Sequence, residues 1–141
     1  MSDAFRVRPF READETEVAA LWLRVFPDAR AANAPREDIR RKLASQPDLF
    51  LVGELGGVVL GTVMAGYDGH RGWIYRLAVA TECRGRGFAR ALMTEAEAQL
   101  RKIGCPKINL QVRGGNSEVV SFYEELGFAV EDRVSMGKRL I

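Results

Sequence analysis

The sequence predicts a mixed α/β domain in which helices flank a central sheet. Short apolar runs typical of strands are interspersed with segments whose apolar residues recur every three or four positions, as in amphipathic helices. Glycine or proline separates most of these segments. Their predicted order is β α α β β β α β α β, which favours a sheet layered with helices but leaves the strand order open. The 141 residues fit a single domain, residues 1–141, with one core.

The first elements are a short strand and two helices. Residues 5–8 alternate apolar and basic side chains, as in a half-exposed strand, and Pro9 ends that strand. Asp14 is a candidate cap for the next helix, whose apolar stripe consists of Val18, Leu21, Trp22 and Val25. Residues 35–44 predict a second, more polar helix with Pro35 in its first turn.

The middle of the chain predicts three consecutive strands. Residues 49–54 and 58–65 are separated by Gly56-Gly57, a pair typical of a tight hairpin turn. A polar loop over residues 66–72 leads to the third strand, residues 73–79. These segments predict a meander.

Two helices and two strands complete the predicted fold. Residues 88–103 have the period of a long helix, with one face formed by Ala89, Leu92, Met93, Ala96, Leu100 and Ile103. A strand over residues 107–112 follows. The next helix ends at Gly127 and presents Val119, Phe122, Tyr123 and Leu126 on one face. Residues 128–140 predict a final strand or hairpin.

A basic turn joins the third strand of the meander to the long helix, and it reads Arg84-Gly85-Arg86-Gly87-Phe88-Ala89. The first amides of a helix lack intrahelical acceptors and lie at the positive end of its dipole, so they bind anions. Glycine lets the backbone approach an anion closely, and Arg84 and Arg86 add charged donors. The turn is a candidate phosphate site, although a surface turn without a ligand has the same composition.

Composition and residue spacing argue against nucleic-acid binding, metal binding and membrane association. A formal net charge of +2 without a broad basic face argues against a nucleic-acid partner. Cys83 and Cys105 lack the spacing of a zinc site or a disulfide scaffold, so no metal is predicted and a cytoplasmic setting is favoured. The N-terminal residues show no signal-peptide pattern, and no apolar run approaches the roughly 20 residues that span a bilayer, so no membrane association is predicted.

Two motifs resemble the GNAT superfamily of N-acetyltransferases. The pattern Arg/Gln-x-x-Gly-x-Gly/Ala is matched by Arg84, Gly87 and Ala89, directly after the strand that ends in residues 77–79. The second motif is Asn116 and Tyr123 followed by Glu124-Glu125-Leu126-Gly127-Phe128. With both motifs in order, the resemblance covers nearly the whole chain. Residues 66–72 and 137–141 also resemble the small bacterial YpeA-type acetyltransferases.

The resemblance implies a fold, a donor and an acceptor class. The implied fold is a central, mostly antiparallel sheet with about four flanking helices and a splayed parallel strand pair, here residues 73–79 and 107–112. The implied donor is acetyl-CoA, its pantetheine lying between the splayed strands, and the implied acceptor is a primary amine of a small molecule or a protein. A monomer and a homodimer are both compatible with the sequence.

The resemblance also assigns site residues. The expected CoA-binding residues are Leu77, Ala78, Val79, Arg84, Gly85, Arg86, Gly87, Phe88, Ala89, Asn116 and Tyr123. The Val79 N–H is the expected donor to the thioester carbonyl oxygen, and Tyr123 is the expected acid for the thiolate. Tyr123 could instead be a core residue and Asn116 a turn residue, while Ala78 and Phe88 are expected to serve mainly in packing.

The general base and the acceptor stay open. Some relatives carry a glutamate on the strand before the phosphate turn, but residues 73–79 contain no carboxylate. Asp68, His70, Tyr75 or a chain of water molecules are the alternatives. The acceptor site is expected between the first two helices, the 66–72 loop and the last hairpin, with an acceptor cation attracted by Glu37, Asp38, Asp48 or Asp68. The alternative function is an inactive GNAT-like domain that binds acyl-CoA as a sensor or scaffold.

Overall fold

The computed structural model describes residues 4–26 and 34–141. Backbone packing divides the chain into two compact units, one that extends to Leu110 and one from Gln111 to Ile141. Within the described residues, the first unit contains a sheet and three α-helices, and the second contains a fourth α-helix. The mixed α/β class predicted from the sequence is confirmed.

Among the described residues, five strands of the first unit form one mixed sheet. They are β1 (Arg6–Pro9), β2 (Phe50–Leu55), β3 (Val58–Tyr67), β4 (Gly72–Val79) and β5 (Ile108–Asn109), and their order in the sheet follows the chain. The pairs from β1 to β4 are antiparallel, and β5 is parallel to β4. The mostly antiparallel sheet with one parallel pair is therefore confirmed.

The hairpin between β2 and β3 follows from its glycine pair. Gly56 and Gly57 have φ angles of +59° and +81°, the left-handed conformation that a two-residue hairpin turn requires and glycine adopts at little cost. The predicted meander is confirmed. Its third strand begins at Gly72, so the polar loop that enters it is shorter than expected and spans residues 68–71.

Three helices accompany the sheet, α1 (Glu15–Val25), α2 (Ala34–Leu43) and α3 (Phe88–Lys102). The apolar stripe of α1 is buried at Val18, Leu21 and Trp22, and the predicted face of α3 is buried at Leu92, Met93, Ala96 and Leu100. Apart from Ala96, each of these buried side chains contributes about 1.5–3 kcal/mol. Ile103 was expected on the same face but is 47% exposed, because α3 ends one residue before it.

Asp14 does not cap α1 with its side chain, contrary to the expectation from sequence. Its carboxylate instead accepts from the Arg11 backbone N–H at 2.7 Å and from two nitrogens of the Arg8 guanidinium at 2.8 and 2.9 Å. A bidentate guanidinium competes well with helix amides for a carboxylate. The Arg8 guanidinium also holds the pKa of Asp14 below its usual range. The pair ties β1 to the start of α1.

The second unit contains α4 (Ser117–Glu125). Its N-cap is Asn116, whose side chain accepts from the Val119 N–H at 3.3 Å. Gly127 follows the helix with a φ angle of +97°, as expected for a C-terminal glycine. Of the predicted apolar face, Tyr123 is buried and the other members are half-buried.

Of two strands predicted near the C-terminal end, one is shorter than expected and the other is absent from the described residues. The strand expected over residues 107–112 is reduced to β5, because only two residues pair with β4. Residues 128–140 contain no strand, and the side chains of Val134, Met136 and Leu140 are 87–91% exposed. Alternating apolar residues fit a strand, but a strand forms only where a neighbouring strand accepts its hydrogen bonds.

Candidate functional site

A bulge interrupts β4 at Arg76. The register between β3 and β4 slips, so that Arg76 and Leu77 together lie opposite the single residue Val63. Arg76 takes up the extra length with a φ angle of +53°. This left-handed conformation costs about 1–2 kcal/mol for a residue with a Cβ atom.

Side-chain contacts hold this bulge in place. Arg76 Nε donates to the Asp38 carboxylate of α2 at 2.8 Å. The Arg76 guanidinium also lies 4.7 Å from the ring centre of Trp22 and 5.1 Å from that of Phe26. The buried hydroxyl of Thr62 donates to the Arg76 carbonyl oxygen at 2.8 Å and accepts from Trp22 Nε1 at 2.8 Å. Contacts to α1, α2 and β3 therefore offset the backbone strain.

Beyond the bulge, alternate amides of β4 point away from β3. The Ala80 N–H donates to the Leu60 carbonyl oxygen of β3 at 2.8 Å. The N–H of Ala78, two residues earlier, therefore also points toward β3. Since successive amides of a strand point to opposite edges, those of Leu77 and Val79 point to the β5 edge. β5 pairs with only Gly72 and Trp73 at the start of β4, so the hydrogen bonds between these strands do not reach Leu77 or Val79. Two amides of β4 are thus available beyond the end of its pairing with β5.

The Arg84–Ala89 turn leads directly into α3. Gly85 and Gly87 have φ angles of +80° and +81°, and a Cβ atom built on either would meet nothing within 4 Å among the described residues. Gly87 is the N-cap of α3. It has no side chain to accept a hydrogen bond from the first backbone amides of this helix. Arg84 and Arg86 are exposed beside them. The turn combines open space, free helix amides and positive charge, which fits an anionic group such as a pyrophosphate.

Two of the predicted CoA-binding residues are core residues. Ala78 is buried in the sheet, and the Phe88 ring stacks on Phe5 with a centroid separation of 3.9 Å. The Arg86 guanidinium lies over the Phe88 ring, 5.0 Å from its centre. Phe88 therefore anchors the start of α3 and supports one of the arginines. Both residues have the packing character expected from the sequence.

A cleft of about 740 Å³ lies beside the bulge. Its walls come from α2 and the following turn, from the end of β3, and from β4 with the loop that precedes it. The lining residues are Asp38, Arg41, Lys42, Ser45, Gln46, Met64, Gly66, Tyr67, Asp68, Trp73, Tyr75 and Arg76. Of the predicted base candidates, Asp68 and Tyr75 line the cleft and His70 does not. Of the predicted acidic groups, Asp38 and Asp68 line it, whereas Glu37 and Asp48 do not.

The titratable groups of the cleft differ in character. The backbone amides of Arg71 and His70 donate to the Asp68 carboxylate at 2.8 Å, and they hold its pKa below the usual range. Desolvation and the Asp68 charge raise the pKa of Tyr75. Burial lowers the pKa of Lys42. Asp68 is thus a fixed negative charge, and Tyr75 is a neutral phenol at neutral pH.

Tyr123 and Asn116 belong to the second unit. The Tyr123 ring makes edge contacts with Phe122 and Phe128 at 5.1 and 5.6 Å, and burial raises its pKa to about 12. The hydroxyl therefore keeps its proton at neutral pH. The sequence left two roles open for Asn116, in CoA binding or in the turn before α4. The structure shows Asn116 as the cap of this helix.

Sequence reasoning missed Arg76, Lys42 and Gln46. Arg76 lies in an apolar strand without the glycine that usually marks a left-handed bulge. Gln46, itself at a φ angle of +55°, uses its side-chain amide to pair with both the N–H and the carbonyl of Tyr67. These contacts join residues 20 or more positions apart, and no local pattern signals them.

Within residues 4–26 and 34–141, no group of three or more histidine, cysteine, aspartate or glutamate side chains is arranged to hold a metal ion. In the same ranges, no helix has the length and apolarity needed to cross a bilayer.

Comparison with known proteins gives consistent matches. The acetyltransferase (GNAT) family matches residues 13–128. An acetyltransferase of Sodalis glossinidius is 52% identical over 136 residues, which are 96% of this chain and 95% of that protein. An acetyltransferase of Yersinia enterocolitica is 47% identical over 135 residues, with 96% and 95% covered.

Solved structures agree on the fold. The aminoglycoside N-acetyltransferase AAC(6')-Iy in complex with CoA matches with a TM-score of 0.83 at 18% identity, covering 100% of this chain and 98% of that one. Ard1 from Thermoplasma volcanium matches with a TM-score of 0.79 at 26% identity, covering 91% and 84%. Family, relatives and fold lead to one conclusion: the chain belongs to the GNAT family of acetyltransferases.

Proposed function

We propose that this protein is an acetyl-CoA-dependent N-acetyltransferase that moves the acetyl group directly to a primary amine. The observation that carries the proposal is a continuous run of donors in the first unit. The free amides of Leu77 and Val79 at the β5 edge precede the glycine turn and the uncapped start of α3 in the chain. Acetyl-CoA, when bound, supplies the acetyl group as a thioester.

The phosphate end of the donor would be bound by the Arg84–Ala89 turn. The first amides of α3 and the helix dipole favour a pyrophosphate, and Gly85 and Gly87 leave room for it to approach the backbone. Arg84 and Arg86 add charged hydrogen bonds.

The acyl end would be bound along β4. The N–H groups of Leu77 and Val79 would donate to amide carbonyl oxygens of the pantetheine and to the thioester carbonyl oxygen. The Val79 N–H stabilises the negative charge that develops on this oxygen, and one such donor typically contributes about 10²–10³ in rate. The short pairing of β5 with β4 supports this role, because it ends before Leu77 and leaves these amides without a strand partner.

The acceptor amine would enter through the 740 Å³ cleft. A lysine-like amine has a pKa of about 10.4, so it arrives protonated and must lose a proton before it attacks. Asp68 attracts the ammonium group by its fixed negative charge. The low pKa of Asp68 makes its carboxylate a weak base, and Tyr75 keeps its own proton. We therefore assign the removal of the ammonium proton to water molecules beside Asp68. This leaves Tyr75 as a wall of the cleft.

The family resemblance assigns the last proton transfer to Tyr123. Its hydroxyl would donate a proton to the departing thiolate and recover one from solvent. The support in this chain is local, namely a buried phenol whose pKa of about 12 keeps it protonated at neutral pH.

Replacement of Gly87 by tryptophan tests the phosphate assignment. Gly87→Trp places an indole where the pyrophosphate would lie, and titration calorimetry is expected to show loss of CoA binding. Gly104→Trp is the matched control, since Gly104 has a φ angle of +82° and an equally open surrounding beyond the other end of α3. It introduces the same backbone strain and should bind CoA normally. Equal CoA affinity in both variants would contradict the assignment.

A thiol-release assay over a panel of primary amines tests turnover. Release of CoA that depends on the amine supports the enzyme. CoA binding without release for any amine would instead favour the inactive acyl-CoA-binding domain.

A further inference from the structure

Lys42 projects from α2 into the acceptor cleft. Its Nζ donates to the backbone carbonyl of Ala65 on β3 and lies 3.7 Å from the position of a Cβ built on Gly66. The side chain is half-buried and lines the cleft. Its ammonium is therefore fixed against β3, and two of its three N–H donors are left for another partner.

The positive charge of Lys42 has no counterion in the described ranges. The other two cations of the cleft, Arg41 and Arg76, share the carboxylate of Asp38 at 3.3 and 2.8 Å. No carboxylate among residues 4–26 and 34–141 lies within ion-pair distance of Lys42 Nζ. Burial lowers the pKa of Lys42, because the cleft desolvates the charge and the described residues supply no counterion.

The charge of the cleft restricts the acceptor. Three cations, Arg41, Lys42 and Arg76, face two carboxylates, Asp38 and Asp68, so the described lining carries one excess positive charge. A polycation such as an aminoglycoside would be repelled. An amine that also carries an anionic group would match both fixed charges, with its ammonium near Asp68 and its anion at Lys42.

We propose that the acceptor is a small amine that also bears a carboxylate or a phosphate, and that Lys42 binds this anionic group. The inference rests on the proposed acetyltransferase function. It makes Lys42 a specificity-determining residue that acts on binding of the acceptor and leaves binding of CoA unchanged.

Paired acceptors test the inference. Phenylalanine and phenylalaninamide share the amine and differ in the carboxylate; phosphoethanolamine and ethanolamine differ in the phosphate. The thiol-release assay gives kcat/KM for each member, and the ratio of the anionic to the neutral member is compared between the parent protein and Lys42→Met. The comparison cancels the different intrinsic reactivities of the amines. We expect the ratio to fall about 10- to 100-fold in Lys42→Met for the favoured pair, as for loss of a charged hydrogen bond.

Two further variants sharpen the result. Lys42→Arg keeps the charge and should retain the preference for the anionic member. Lys102→Met removes an exposed lysine at the end of α3, away from the cleft, and should leave every ratio unchanged. CoA affinity by calorimetry should be the same in all variants, which shows that each one is folded.

The outcomes separate the two proposals. An unchanged ratio in Lys42→Met, or turnover restricted to the neutral members, overturns the inference and leaves the acetyltransferase function intact. Absence of turnover for all four amines in a protein that binds CoA counts against the proposed function and the inference together.

Discussion

Replacement of Arg76 tests whether side-chain contacts compensate the strained bulge of β4. Arg76→Ala removes the hydrogen-bonded ion pair with Asp38 and the contacts of the guanidinium with Trp22 and Phe26. The alanine keeps a Cβ atom at the same φ angle of +53°, so the backbone strain stays. Arg76→Gly removes the same contacts and also relieves the strain.

The expected magnitudes follow from these contacts. The ion pair is partly exposed on both sides and contributes about 1 kcal/mol after solvent screening. The two aromatic contacts together contribute about 1–2 kcal/mol. Arg76→Ala should therefore lower the free energy of unfolding by about 2–3 kcal/mol. Arg76→Gly should be less harmful than Arg76→Ala by roughly 0.5–1 kcal/mol, because relief of about 1–2 kcal/mol of strain outweighs the entropy cost of glycine, about 0.5–1 kcal/mol.

Urea unfolding of the three proteins measures both effects. In an ordinary strand, glycine is less stable than alanine by about 0.5–1 kcal/mol, so the expected order is reversed at this position. The control is Arg41→Ala, which removes the more exposed cation at Asp38 and should change the stability by less than about 0.5 kcal/mol. A glycine variant less stable than the alanine variant would refute the assignment of strain to Arg76.

Two further predictions concern a proton donor and a buried ion pair. Tyr123→Phe should lower turnover at saturating acetyl-CoA about 10²-fold or more while CoA affinity stays the same, as for loss of a general acid; unchanged turnover would remove Tyr123 from the mechanism. Asp14→Asn should lower the free energy of unfolding by about 2 kcal/mol at pH 7, because Arg8 loses the bidentate one of its two carboxylate partners and keeps only Glu54. Since the pKa of Asp14 is lowered by folding, its contribution is complete above the unfolded value of about 3.9 and disappears as the pH falls through the folded value. The difference between parent and variant should thus be constant from about pH 5 to 8 and shrink toward pH 3, and a difference that persists unchanged at pH 3 would contradict the prediction.

Several features of this protein follow from the sequence because they depend on neighbouring residues. The two-residue period of strands and the wider period of helices reflect which face of each element is buried, and they predicted the meander and the core face of α3. Gly56-Gly57 determined a hairpin turn through backbone sterics alone. The Arg84–Ala89 turn could be predicted as a candidate phosphate site because strand, glycines and helix start are contiguous in the chain.

Only the tertiary structure decided the features that depend on a distant partner. The Asp14 side chain does not cap α1 as expected, because Arg8 on β1 donates two hydrogen bonds to its carboxylate. Arg76 adopts a left-handed conformation that its own residue type disfavours, since Asp38, Trp22 and Thr62 are brought around it by folding. A periodic pattern records which side of a segment is apolar. It does not record which distant group will satisfy its hydrogen bonds, and for that reason residues 128–140 were predicted as a strand or hairpin that the structure does not contain.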